Sequence, residues 1–165
     1  MGRRVALGLG VGAAMIWSVG LLWVAARYVS LPIFALMPTI MTAFLAPGLV
    51  MAAMLIWGAW CRGFTGEGFE TDSPGTMAAI DRHVVRDTMQ HLVLGLCIWP
   101  AAAVLLGGFG PGVIVMLGAG LAVARVLYWL GCHLSLGLRV FGQAASLGPT
   151  LMVAGWALWT LSARF

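Results

Sequence analysis

The chain has 165 residues, 62% of them hydrophobic and 8% charged, with a formal net charge of +4 and a mean hydropathy of +1.02. A water-soluble domain of this size needs roughly a quarter of its residues charged, so a globule wetted on every side is excluded. The absence of lysine and the scatter of the nine arginines argue against nucleic acid as a partner.

A hydrocarbon layer of about 30 Å takes about 20 helical residues to cross. Five apolar stretches meet or approach that length: Val5–Ala26, Ile33–Trp60, Leu92–Gly108, Val113–Cys132 and Ala144–Leu161. They lack the period-two alternation of barrel strands, and Leu, Ala, Met and Gly dominate them. The predicted class is an all-α polytopic membrane protein with the lipid bilayer as its first partner.

The first stretch follows Arg3 and Arg4 and ends near Arg27-Tyr28. A cleaved signal peptide is the alternative, with Val24-Ala25-Ala26 as a small-residue cleavage site. The length of the stretch, together with Trp17 and Trp23, favours a retained helix. Ser30-Leu31-Pro32 predicts a short turn. The second stretch carries Pro38 and Pro47-Gly48, and Pro47 predicts a kink because it removes a backbone donor.

Residues 61–75 form the hydrophilic loop, with Glu67, Glu70 and Asp72. Ser73-Pro74 reads as an N-cap followed by proline at the first helical position, so the third helix starts before its apolar part. Met77–His91 is its polar beginning, and Pro100 predicts a bend. Gly107–Gly112 is a hairpin turn. The fourth helix is expected to run to about Leu136, and Gly137–Gly142 to link it to the last. Small residues four apart, Gly8 with Gly12 and Gly118 with Ala122, predict close helix packing. Trp57, Trp60, Trp156 and Trp159 suit interfacial anchoring.

With a cytoplasmic N-terminus, Arg3, Arg4, Arg62, Arg82, Arg86 and Arg139 fall on the cytoplasmic side. Arg27 and Arg164 fall outside, with the C-terminus. Arg125 falls within the membrane, where an ionisable residue is expensive without compensation. Asp87, Gln90 and His91 share one helical face; Arg125, Tyr128 and Cys132 share another. Asp87 is the expected ionic partner of Arg125, and Gln90 a second hydrogen-bonding one. Such a pair is an interhelical staple or part of a binding site, and the residues alone favour the staple. Cys61, Cys97 and Cys132 lack metal-ligand spacing, so no metal is expected.

The run Arg82-His83-Val84-Val85-Arg86-Asp87-Thr88-Met89-Gln90-His91-Leu92, with Ala124–Cys132 and the later Arg139, resembles paired helix signatures of the MAPEG family, the membrane-associated proteins in eicosanoid and glutathione metabolism. The resemblance covers about Pro38 to the C-terminus. It implies a MAPEG-like four-helix membrane domain over 32–165, assembled as a homotrimer, with residues 1–31 as an additional N-terminal transmembrane helix. It also implies a bacterial-type inner-membrane location and glutathione as co-substrate at a subunit interface. Arg62, Arg86, Asp87, Gln90, Arg125, Tyr128 and Cys132 match its binding positions, and Arg139 the catalytic arginine that stabilises a thiolate. The implied activity is thiol transfer to a lipophilic small molecule, or reduction of a lipid peroxide. The chain departs from the signature at Asp87 (Asn in the family), Gln90 (Glu) and Cys132 (commonly Tyr). The other reading is a non-catalytic membrane binding or assembly module that keeps the bundle.

Overall fold

The computed structural model describes residues 2–29, 36–65 and 76–164. They form α1 (Arg3–Tyr28), α2 (Leu36–Ala43), α3 (Leu45–Thr65), α4 (Met77–Leu105), α5 (Gly110–Leu134) and α6 (Leu136–Ser162), with a 3-10 turn at Gly107–Phe109 before α5. Five spans are long and apolar enough to cross a membrane, α2 and α3 together making one of them. Their outward faces carry Ile16, Trp23, Ile56, Leu96, Leu151 and Leu158, all exposed. Apolar side chains pointing away from the core are what lipid accepts and water does not. This is an integral membrane protein.

The break between α2 and α3 lies at Phe44, three residues ahead of Pro47. Proline has no N–H, and its ring crowds the carbonyl four residues earlier, here that of Ala43. That carbonyl points instead at Gly118 on α5, where any Cβ would collide with it. Gly118 therefore packs as expected. Gly8 and Gly12 do not, since a Cβ on either would meet nothing; Gly10, between them, lies against Gly137 and Val140.

Phe44, Trp99 and Thr150 tie three spans together. The Phe44 and Trp99 rings stack at 4.8 Å, and the Trp99 indole N–H donates to the Thr150 hydroxyl at 3.3 Å. α5 is the most buried span. α1 runs alongside α6 in the same direction, Gly10 beside Val140 and Ser18 beside Gly148. Its Leu21 and Ala25 belong to the main core with Ile40, Trp99, Ile114 and Val153. The N-terminal helix is thus packed into the bundle.

Three boundaries differ from the sequence reading. α5 starts at Gly110, so Gly110–Gly112 belong to the helix and not to the turn. α4 is capped by Thr76, whose hydroxyl accepts from the Ala79 N–H at 3.3 Å; Ser73-Pro74, like Ser30-Leu31-Pro32 and Glu67, Glu70 and Asp72, lies outside the described residues. Residues 137–142 are not a link but the first turns of α6. Ser135 alone separates α5 from α6, with extended backbone and a hydroxyl that accepts from the Leu138 N–H. Gly142 serves helix contact: a Cβ on it would strike the Tyr128 backbone. At the opposite end, Arg164 donates to the Leu105 carbonyl at 3.1 Å and so closes the end of α4.

Candidate functional site

Arg125 is fully buried on α5 at 0% exposure. Its Nε donates to Ser146 Oγ at 2.9 Å and its Nη2 to Gln143 Oε1 at 3.0 Å, both on α6. Its Cζ sits 4.5 Å from the centroid of the Tyr128 ring, a cation–π contact. Ser146 can accept because its own hydroxyl proton goes to the Gly142 carbonyl at 2.7 Å. Nη1 is buried without a hydrogen-bond partner among the described residues.

The expected direct pairing with Asp87 and Gln90 is therefore corrected. Among the described residues no hydrogen bond or ion pair joins Arg125 to Asp87, and Gln90 is exposed. The cause is the tight α5–α6 approach at Gly142, which brings Gln143 and Ser146 to the guanidinium first. Asp87 still acts on Arg125 through space.

The remaining candidates separate into two groups. Tyr128 and Cys132 lie within electrostatic range of each other and of both Asp87 and Arg139, close to the α5–α6 junction. Arg86 and Gln90 are exposed on the outer face of α4, and Arg139 is exposed at the start of α6. Arg62 is placed only by its backbone, near the end of α3.

A second constellation lies between α3, α4 and α5. Asp81 Oδ1 accepts the Trp129 indole N–H at 2.8 Å and pairs with His133 Nε2 at 3.0 Å. Both partners fall on Oδ1, so Oδ2 has none among the described residues. The Asp81 side chain retains 13% exposure and that of His133 25%. These residues line a pocket of about 680 Å³ with Trp57, Cys61 and Leu130 in its wall. The Trp57 and Trp129 rings meet edge to face at 6.3 Å. Trp57 is thus part of a pocket wall.

The chain matches no family model, no curated protein and no solved structure. The chemistry must come from the two constellations themselves. The Arg125 centre joins α5 to α6 through Ser146 and Gln143 and leaves Nη1 without a hydrogen-bond partner among the described residues. The Asp81 centre opens on a cavity large enough for a drug-sized molecule, with apolar walls and a few convergent polar groups. Among the described residues no three His, Cys, Asp or Glu side chains converge as metal ligands would.

Asp81, Trp129 and His133 were not among the candidates drawn from sequence. The signal was present: Asp81 precedes buried Val84 and Thr88 by three and seven positions, which sets it on the inward face of α4. Trp129 and His133 are four apart, on one face of α5.

Proposed function

We propose that this membrane protein is a binding module whose ligand is a lipophilic small molecule held between α3, α4 and α5. The observation that carries the reading is the cavity of about 680 Å³ with Asp81, Trp129 and His133 joined on its wall. Apolar surface supplies affinity in such a site, while a small polar set fixes orientation. Titration of the purified protein with a brominated neutral lipophile should quench tryptophan emission saturably, because Trp57 and Trp129 form the wall. Leu130→Trp fills the cavity and should abolish that saturation. Quenching that rises linearly in both proteins refutes the reading.

A second reading is supported by the grouping of Asp87, Tyr128, Cys132 and Arg139, and by the outward Arg86 and Gln90. It is a MAPEG-like homotrimer in a bacterial inner membrane, with glutathione at the boundary between protomers. Arginines pair well with the carboxylates of an acidic tripeptide, and Arg139 would favour the thiolate of a bound thiol. Calorimetric titration with glutathione tests it: binding lost in Arg139→Ala supports it, and no heat in the intact oligomer removes it.

A further inference from the structure

We propose that the pocket between α3, α4 and α5 selects lipophilic amines, recognising the ammonium at Asp81 Oδ2 and against the indole-lined wall. This deepens the pocket reading above and rests on it. A carboxylate in an apolar wall is costly unless its oxygens are engaged. Trp129 and His133 both engage Oδ1, which leaves Oδ2 as an acceptor without a partner among the described residues. The side chain retains 13% exposure and lines the pocket. Indole faces attract cations, most strongly when the site is partly desolvated, and Trp57 and Trp129 both line the pocket with Asp81.

Depth favours the same ligand. Asp81 lies near the polar start of α4, one turn after Met77, while the apolar part of that helix follows. An amphiphilic amine in a bilayer places its charge at that level and its body below it. The body would then meet Gly58, Leu130 and the indole walls. A zwitterionic lipid headgroup fits less well, because its phosphate would come beside the Asp81 carboxylate. The occupant is therefore a free amine rather than a lipid.

The test compares 1-adamantylamine with 1-adamantanol, two probes of nearly equal shape, on the full chain in phosphatidylglycerol nanodiscs. The amine should bind about tenfold more tightly or better, the gain expected of an ion pair aided by cation–π contact. Asp81→Asn should erase that difference. Trp57→Leu should weaken the amine more than the alcohol, which covers the case in which Asp81→Asn does not fold. Equal binding of the two probes to the unaltered protein overturns the amine inference and leaves the pocket reading standing. Binding of neither overturns both. Replacing half the lipid by phosphatidylethanolamine should leave the amine's affinity intact; loss of binding there would make the occupant a lipid and overturn the proposal.

Discussion

Arg125 carries a full charge into the core of a membrane bundle with neutral acceptors as its direct partners. Ser146 and Gln143 take two of its N–H groups and the Tyr128 ring covers its face, while Asp87 contributes only through space. Removing the donor from a buried polar set leaves its acceptors unsatisfied, at about 1–3 kcal/mol. Arg125→Ala should therefore lower unfolding stability in detergent by that order. Asp87→Asn should change it by less than about 1 kcal/mol, as expected of an indirect partner. Equal losses in the two variants would return Asp87 to the role of counter-ion. That Arg125 needed compensation was legible from its depth in an apolar run. Its partners were not, because Gln143 and Ser146 adjoin a glycine-rich stretch that reads as a linker and folds as helix.

At the scale of the element, closeness between helices is set by which glycines meet a neighbouring backbone, and spacing alone does not decide that. Gly142 lies against the Tyr128 backbone, whereas Gly12 meets nothing. Gly142→Ala should destabilise the α5–α6 pair by about 1–3 kcal/mol, the usual range for overpacking, and should also loosen Gln143 and Ser146 from Arg125. Gly12→Ala should be neutral or stabilising by about 0.5–1 kcal/mol, because alanine loses less backbone entropy in a helix. Thermal unfolding of both variants in one detergent checks the contrast. The five spans and the proline break were readable from hydropathy and from Pro47. The facing of the glycines was not, since Gly8, Gly10 and Gly12 look alike in sequence and only Gly10 abuts α6.

Across the whole molecule, five crossings leave the chain's two ends on opposite faces, and the charges divide with them. Arg4, Arg82, Arg86 and Arg139 belong to the end that holds the α3–α4 and α5–α6 junctions; Arg27 and Arg164 belong to the other. Basic residues in short loops are retained on the cytoplasmic side, which predicts that the Asp81 pocket faces the cytoplasm. Ser135 and Ser162 are both exposed, one at each end, and serve as reporters. In a variant with Cys61, Cys97 and Cys132 replaced by alanine, Ser162→Cys should react with an impermeant maleimide added to intact cells. Ser135→Cys should react only after the membrane is opened. The reverse pattern would put the pocket on the outer surface, so that its ligand would be drawn from outside the cell, while the packing of α1 along α6 would be untouched. Labelling of both cysteines in intact cells would mean that one span fails to cross, and the shorter-loop junction at Ser135, with a single residue between two helices, would then have to lie on the same face as the C-terminus.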